Sequence, residues 1–290
     1  MRELTSDILE LIRLTSSNLP SDVEIVLGSA LANEELDSPA YNALQTILKN
    51  VEIARQSSAP ICQDTGTPIF YIRYPEFYSI RQLENQVRSA VAEATKKTYL
   101  RPNAVDALTG KNSENNLGGH FFPSLHFKEV NEDTLSIDLI LKGGGCENVG
   151  RQYSLPDKRL NAGRDLDGVR KVALDTIFLA QGQGCPPGFL GIAIGGDRGT
   201  SYAASKEVFV GKVGDHHPDP QVAALEERIT REANELMIGP MGFGGKSTIL
   251  GTRITSEFRL PASFFVSVSY MCWAYRHRRM TISDNKVFYE

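Results

Sequence analysis

The sequence predicts an α+β fold in which a mixed or antiparallel sheet is flanked by helices, with a helical N-terminal extension. Residues 1–58 have helical periodicity, and short β-branched and aromatic runs begin only after residues 59–60. Most of the later strand patterns come in successive pairs that helical stretches separate, which is typical of an α+β sheet.

The N-terminal helices are predicted from apolar residues spaced along one helix face. They span Asp7–Leu14, Val23–Ala32 and Tyr41–Arg55. We expect this lead-in to pack on the body of the protein. Residues 1–290 are therefore predicted to form one catalytic-type domain, within which residues 1–58 are not a separate domain.

Apolar runs bounded by turn residues predict the strands, and apolar stripes predict the remaining helices. The predicted strands are Ile69–Ile72, Phe121–Phe127, Thr134–Leu141, Phe189–Ile194, Ser247–Phe258 and Phe264–Tyr270. The predicted helices are Ser79–Thr98, Gly168–Leu179 and Pro220–Met237. The second and third strands, and likewise the last two, are predicted to pair with each other.

The composition excludes several classes of protein. A formal charge of −4 and a pI near 5.8 are unlike the basic surface of a nucleic-acid-binding protein. The acidic N-terminus does not resemble a secretory signal, and no run approaches the roughly 18 apolar residues of a membrane span. Four cysteines are too few for a disulfide scaffold in a chain of this length, so we expect a cytoplasmic protein.

Three segments place a cysteine among glycines or prolines. The first, Ala59–Pro68, contains Cys62, Asp64 and Gly66 in a turn whose amides and short polar side chains can bind a ligand. A capped turn before a strand is the structural alternative for this segment.

The second segment, Lys142–Asn148, has three successive glycines before Cys146, at the end of a predicted strand. Because glycine leaves backbone N–H groups accessible, Gly143, Gly144 and Gly145 are predicted to bind an anion. The alternative is a flexible loop.

In the third segment, Gln181–Gly188, two prolines follow Cys185 and hold the turn around its thiol. A cysteine beside a proline recurs in iron–sulfur ligation, although the usual clusters have more closely spaced cysteines. Cys272 has apolar neighbours, and its surroundings alone predict a buried hydrophobic side chain.

Common catalytic motifs are missing from the sequence. It has no C-x₂-C pair, no H-x₃-H ligand set, no G-x-G-x-x-G behind a strand, no P-loop and no G-x-S-x-G. Spacing alone therefore supports only an unspecified metal site.

Taken together and in order, the motifs resemble the class I fumarase and L-tartrate dehydratase family of iron–sulfur hydro-lyases, specifically its α subunit. The principal motifs are Cys62–Gly66, Lys142–Gly145, Cys185–Pro187 and Ile238–Gly242. Further matching segments are Leu100–Val105, His217–Pro220 and Cys272–Arg276. The resemblance covers nearly the whole chain.

The resemblance implies a [4Fe–4S] cluster that three cysteines hold, with one iron open to substrate as a Lewis acid. By motif, the ligands are Cys62, Cys185 and Cys272. Cys146 is then the additional cysteine, because many relatives have serine after the three glycines.

The resemblance also implies reversible hydration of a C4 dicarboxylate. Asp64 is expected to transfer the proton, and Arg101 to bind a substrate carboxylate through two N–H groups. Gly143–Gly145 and Gln63 are expected to add further substrate contacts.

Single-chain relatives continue into a further domain, so the resemblance implies a separate β subunit that completes the active site. An α₂β₂ heterotetramer is the expected assembly. Lys142 and Glu147–Asn148 resemble the fumarase version of the glycine segment, whereas Cys146 followed by Gly150–Arg151 resembles the tartrate version. We favour fumarate and L-malate as substrates, with L(+)-tartrate dehydration to oxaloacetate as the alternative.

Two hypotheses from other classes remain. One is a non-catalytic iron–sulfur redox or sensor module, which would not need Asp64 and Arg101 beside the cysteines. The other is a glycine-rich small-molecule-binding protein without metal, which iron and sulfide analysis would distinguish from the rest.

Overall fold

Three helices open the chain in the computed structural model, which describes residues 3–284 and 286–290. They are α1 (Thr5–Ser17), α2 (Ser21–Asn33) and α3 (Pro39–Ser57). The predicted helical N-terminal extension is confirmed, and each helix is longer than its predicted span.

The remaining elements follow in chain order. They are β1 (Thr67–Pro75), α4 (Ile80–Lys96), β2 (Ser124–Val130), β3 (Leu135–Lys142), α5 (Gly144–Val149), β4 (Arg151–Ser154), α6 (Leu166–Ala180), β5 (Gly188–Ile194), α7 (Arg198–Glu207), α8 (Pro220–Glu235), β6 (Ile249–Ser256), β7 (Phe265–Met271), β8 (Arg276–Ser283) and β9 (Lys286–Tyr289). Helices together with mixed sheets confirm the predicted α+β class.

The contacts between residues divide the chain into two units. The first unit comprises Met1–Pro20, Lys49–Gly144 and Ala274–Glu290, and the second comprises Ser21–Leu48 and Gly145–Trp273. The N-terminal helices are divided between the two units, because α1 belongs to the first unit and α2 to the second. That residues 1–290 act as one catalytic domain stays a prediction.

The first unit contains a five-stranded mixed sheet in the order β2-β1-β3-β8-β9. Strand β1 pairs in parallel with β2 and antiparallel with β3. Helix α4 connects β1 to β2 and buries the apolar stripe that predicted it, including Leu83, Val87, Val91 and Ala94. Helix α1 packs beside α4 and adds Ile8, Leu11 and Ile12 to the same core.

The second unit contains a four-stranded mixed sheet in the order β4-β7-β5-β6. Strand β5 pairs in parallel with β6 and antiparallel with β7. The N-caps of α6 and α8 are Asp165 and Asp219, whose carboxylates accept hydrogen bonds from first-turn N–H groups. The buried core of this unit includes Val172, Ile229 and Val268.

Both units therefore use the same strand arrangement. An interior strand next to the edge strand has a parallel partner on one side and an antiparallel partner on the other, so β1 and β5 each separate two strands that follow them in sequence. The predicted pairing of Phe121–Phe127 with Thr134–Leu141, and of Ser247–Phe258 with Phe264–Tyr270, is wrong. Alternating apolar residues identify a strand and its buried face, but they do not specify its hydrogen-bonded neighbour.

Several elements were not predicted. Strand β8 is rich in arginine and histidine, so a search for apolar runs misses it. Helix α7 has a local signal, because Asp197 and Thr200 form a reciprocal capping box at its start. Within residues 3–284 and 286–290, no helix is both long and apolar enough to cross a lipid bilayer.

Candidate active site

In the first unit, the antiparallel pairing of β1 with β3 brings two of the motifs to the same end of the sheet. The register pairs Thr67 with Lys142, so the turn before β1 adjoins the glycines that follow β3. Asp64 lies in this turn. Its Oδ1 accepts a hydrogen bond from the Gly66 N–H at 3.0 Å, and its Oδ2 accepts one from the Gly144 N–H at 2.7 Å. The carboxylate of Asp64 thus joins the two motifs.

Gly66 is required for this close approach. Its φ is +78°, and a Cβ atom placed there would lie 2.6 Å from the backbone carbon and oxygen of Lys142. Any other residue would meet both a left-handed backbone and a backbone clash. The turn and the end of β3 can therefore lie together only because position 66 has no side chain.

The carboxylate of Asp64 is oriented and remains accessible. Hydrogen bonds from backbone N–H groups to a carboxylate are short and orient it firmly. An ionised carboxylate has about four acceptor sites, so two remain after these two bonds. The residue is half-buried, and it can therefore be held in place and still be reached by a small ligand.

The three glycines were predicted as a strand end followed by an anion nest or a flexible loop. Gly143 directly follows β3, and Gly144 and Gly145 are the first two residues of α5, so the segment begins a helix and the flexible-loop alternative is wrong. Gly144 and Gly145 are exposed and Gly143 is buried. The anion that this structure places at the Gly144 N–H is the carboxylate of Asp64. That Gly143, Gly144 and Gly145 contact substrate stays a prediction.

Arg101 is linked to the same turn through Thr65. The Arg101 backbone N–H donates to Thr65 Oγ1 at 3.0 Å, and the Asn103 side-chain amide donates to the same oxygen at 3.1 Å. Thr65 is 1% exposed, whereas Arg101 and Gln63 are exposed. The structure thus brings the predicted base and the predicted carboxylate-binding cation to one turn, with the long Arg101 side chain on the surface.

Cys62 belongs to the first unit, where the residue before it is tightly held. The Ile61 N–H donates to the Ser16 carbonyl at 2.9 Å, and the Ile61 carbonyl accepts from the Asn50 side-chain amide at 2.8 Å. Ile61 is 4% exposed and Cys62 is half-buried. The backbone around this thiol is therefore fixed by α1 and α3.

In the second unit, β5 and β7 bring two further cysteines to one end of a sheet. The antiparallel register pairs Phe189 with Met271, so Cys185, just before β5, adjoins Cys272, just after β7. A hydrogen bond from the Trp273 N–H to the Cys185 carbonyl, at 3.4 Å, links the two segments. Both cysteines are half-buried.

Tyr270 holds the Cys185 turn in place. A Cβ atom at Gly184 would lie 2.7 Å from Tyr270 Cε1, and one at Gly188 would lie 2.3 Å from Cζ and the hydroxyl oxygen. The ring therefore fits against glycines on both sides of Cys185. Burial raises the pKa of the Tyr270 hydroxyl well above its ordinary value, and the neighbouring thiolates of Cys272, Cys146 and Cys185 raise that pKa further.

Cys146 differs from the other cysteines. It is 3% exposed, and its Sγ accepts a hydrogen bond from the Cys272 backbone N–H at 3.2 Å. The side chain therefore supports the backbone of Cys272. That Cys146 lies outside the ligand set stays a prediction.

The donor chemistry suits an iron–sulfur cluster. All four cysteines lie in the described part of the chain, and no disulfide joins them. The three predicted ligands are half-buried thiols, which are the groups that iron–sulfur clusters use. Among residues 3–284 and 286–290, no group of three or more His, Cys, Asp or Glu side chains could hold a metal ion directly. A cluster separates its cysteine ligands by its own irons and sulfides, so it does not require such a group.

Sequence reasoning missed several residues that organise the site. Thr65 lies in the motif Cys62–Gly66, but no role was predicted for it. Tyr270 was predicted only as the last residue of a strand. Asn116 was missed altogether, although the turn-rich run from Ser113 to Gly119 could have drawn attention to it.

Comparison with known proteins shows the family of this chain. The family model described as fumarate hydratase (Fumerase) matches residues 5–281. A Geobacillus stearothermophilus protein, provisionally named class I fumarate hydratase, is 45% identical over 288 residues, which cover 98% of this chain and 56% of that protein. The chain belongs to the fumarate hydratase (Fumerase) family, as its motifs predicted.

Two further relatives are α subunits by name. The Escherichia coli K12 L(+)-tartrate dehydratase subunit alpha is 30% identical over 290 residues, covering 99% of this chain and 93% of that subunit. A Methanocaldococcus jannaschii protein, provisionally named L(+)-tartrate dehydratase subunit alpha, is 32% identical over 278 residues, which cover 94% of this chain and 95% of that protein. The chain thus spans little more than half of the Geobacillus relative and nearly all of these two.

The contact of Gly66 with Lys142 leads to a stability prediction. Gly66→Ala should lower the thermal unfolding midpoint more than Gly110→Ala does. Both glycines have positive φ, which costs an alanine about 1–2 kcal/mol, but a Cβ atom at Gly110 would enter open space. Differential scanning calorimetry of both variants measures the difference, and equal shifts of the midpoint would show that the close approach has no energetic consequence.

Proposed function

We propose that this chain is the α subunit of a hydro-lyase that interconverts fumarate and L-malate. Membership of the fumarate hydratase family supports the reaction class. The observation that carries the proposal is the geometry of the turn before β1, where two N–H groups hold Asp64 and Thr65 binds the backbone of Arg101. Proton abstraction next to a carboxylate requires an oriented base, and Arg101, whose backbone is anchored to the same turn, is proposed to bind that carboxylate.

In this proposal, Asp64 moves the proton on the carbon next to a substrate carboxylate. Its two backbone bonds fix the direction of the remaining acceptor sites, so the base does not have to be reoriented during turnover. Arg101 binds that carboxylate through its paired N–H groups, and its exposed side chain allows it to reach a ligand in solution. Gln63 and the glycine N–H groups are proposed to supply additional polar contacts.

We also propose that Cys62, Cys185 and Cys272 hold a [4Fe–4S] cluster. When bound, the cluster supplies a Lewis acid that makes hydroxide a better leaving group. Within the second unit, the hydrogen bond of Trp273 to Cys185 and the packing of Tyr270 set the spacing of two ligands. Cys146 keeps the backbone of Cys272 in position without serving as a ligand.

The cysteine assignments predict a sharp difference between four variants. Cys62→Ser, Cys185→Ser and Cys272→Ser should each lose the iron–sulfur absorbance and all activity. Cys146→Ser should retain a substantial fraction of the cluster, because a serine hydroxyl can still accept the hydrogen bond of the Cys272 N–H. Iron and sulfide analysis of anaerobically purified protein measures this. Loss of iron in Cys146→Ser with retention in Cys272→Ser would reverse the assignment.

The role of Asp64 predicts a separate kinetic result. Asp64→Asn is nearly isosteric but cannot take up a proton, so turnover should fall about 10²-fold or more while the cluster content is unchanged. Asp197→Asn is the matched control, because Asp197 also accepts two backbone N–H groups, yet it only caps α7. Activity of Asp64→Asn within a few-fold of the wild-type value would remove Asp64 from the mechanism.

We further propose that a β subunit completes the active site. Dehydration removes a proton and a hydroxide from opposite sides of a dicarboxylate, and Asp64 with Arg101 serve one side of it. The two relatives that this chain nearly spans are α subunits by name. A largely apolar interface within an α₂β₂ assembly is proposed, in the cytoplasm, where reducing conditions keep cysteines available to the cluster.

The partner and the substrate can be tested together. Anaerobically reconstituted α subunit should be inactive alone and should gain turnover when the β subunit is added, with L-malate and fumarate preferred over both tartrate enantiomers. A preference for L(+)-tartrate would select the alternative that the two α-subunit relatives support. Substantial activity of the α subunit alone, unchanged by the β subunit, would contradict the divided site. Cluster without any hydratase activity would favour the sensor hypothesis.

A further inference from the structure

We propose that Asn116 is a positioning residue that sets the location of Arg101, and thereby the affinity for the substrate carboxylate. The inference rests on the proposed function and concerns a residue outside all of the motifs that define the family resemblance. It follows from the way in which the first unit holds the segment 101–104.

The side chain of Asn116 uses its whole hydrogen-bonding capacity on this segment and its support. Oδ1 accepts from the Asn103 N–H at 2.7 Å and the Ala104 N–H at 3.1 Å. Nδ2 donates to the Arg101 carbonyl at 2.8 Å and to Thr95 Oγ1 at 3.0 Å. The residue is 2% exposed, so none of these bonds competes with bulk water.

Thr95 connects this network to a rigid element. It lies near the C-terminal end of α4, and its hydroxyl donates to the Val91 carbonyl one turn earlier at 2.8 Å. Its oxygen therefore remains available to accept from Asn116. Through this contact, Asn116 ties the segment 101–104 to the helix whose apolar face lies in the core of the first unit.

The other side of the segment is tied to the candidate base. Thr65, which follows Asp64 in sequence, accepts from the Arg101 N–H and from the Asn103 side chain. The Arg101 backbone is thus held at its N–H by Thr65 and at its carbonyl by Asn116. The distance from Asp64 to the start of the Arg101 side chain depends on both anchors.

An exposed arginine needs such a support. Its long side chain can adopt many rotamers, and only a fixed backbone limits where the guanidinium group can be. Asn103 and Ala104 also line an open cavity of about 1110 Å³ in the first unit, so displacing this backbone would change the wall of that cavity.

Asparagine suits this position for two reasons. Its φ is +58°, a conformation that Asn tolerates better than most residues. Its amide also combines two donors with one acceptor oxygen, whereas aspartate can only accept when ionised. Asn116→Gly keeps the backbone conformation and deletes the amide, and Asn116→Asp keeps the shape and the acceptor but loses both donors.

The kinetic test compares these variants in the reconstituted αβ enzyme. Asn116→Gly should lower kcat/KM for L-malate about 10- to 100-fold, mostly through a higher KM, with unchanged iron content. Asn116→Asp should give a change in the same direction if glycine at this position prevents folding. Glu114→Gly is the matched control, because Glu114 is exposed in the same loop and also has a positive φ of 65°. It should leave kcat/KM within about twofold of the wild-type value.

A double-mutant cycle separates positioning from a general loss of stability. If Asn116 acts through Arg101, Asn116→Gly should change kcat/KM less than about twofold in an Arg101→Ala background. Independent, multiplicative losses would overturn the inference. An unchanged KM in both Asn116 variants would also overturn it.

Hydrogen exchange gives a readout that does not depend on activity. The amides of Asn103 and Ala104 should exchange faster in Asn116→Gly than in the Glu114→Gly control, because their acceptor is gone. Unchanged exchange of these amides would refute the proposed support. If the wild-type enzyme turns over no C4 dicarboxylate, the proposed function fails first and this inference fails with it.

Discussion

The organisation of the candidate site in the first unit depends on two hydrogen bonds that the carboxylate of Asp64 accepts. One of its oxygens accepts a hydrogen bond from the N–H of Gly66, two residues away in sequence. The other accepts one from the N–H of Gly144, 80 residues away. One bond closes the local turn, and the other fastens that turn to the strand end at Gly144. Because Gly66 has no side chain, the two backbones can meet closely enough for both bonds to form. The same residue is therefore a structural joint and the candidate base.

In both sheets, antiparallel strand pairing brings candidate site residues close together. In each unit, an interior strand runs antiparallel to a neighbour, so the segment before one strand adjoins the segment after the other. In the first unit this brings Asp64 to Gly144, and in the second it brings Cys185 to Cys272. Antiparallel pairing thus converts residues distant in sequence into neighbours, while the strands themselves stay buried and rigid. The candidate site residues therefore lie on short segments that a fixed sheet holds in place.

Several buried side chains position the candidate site residues by hydrogen-bonding to their backbone. Thr65 and Asn116 hold the segment that carries Arg101, and Cys146 holds the backbone of Cys272. Each is at least nine-tenths buried and each satisfies backbone groups that would otherwise lack partners inside the protein. Cys146 supplies this support beside Cys272, which is a proposed cluster ligand. Through Asn116, which bonds both the Arg101 carbonyl and Thr95 of α4, the position of the Arg101 backbone also depends on how α4 is packed.

The sequence by itself determined most of the helices, the existence of most strands, and the family, because apolar periodicity and contiguous motifs are local properties; α5 and α7 were not among the predicted helices. It also identified Cys62, Asp64 and Arg101 as candidates through their motifs. Only the tertiary structure decided that β1 separates β2 from β3, since alternation of apolar residues does not specify a hydrogen-bonded partner. It likewise decided that Gly144 donates to Asp64. Asn116 stayed invisible in the sequence for the same reason: its importance lies in hydrogen bonds to residues 12 to 21 positions away, which exist only once the loop has closed onto α4.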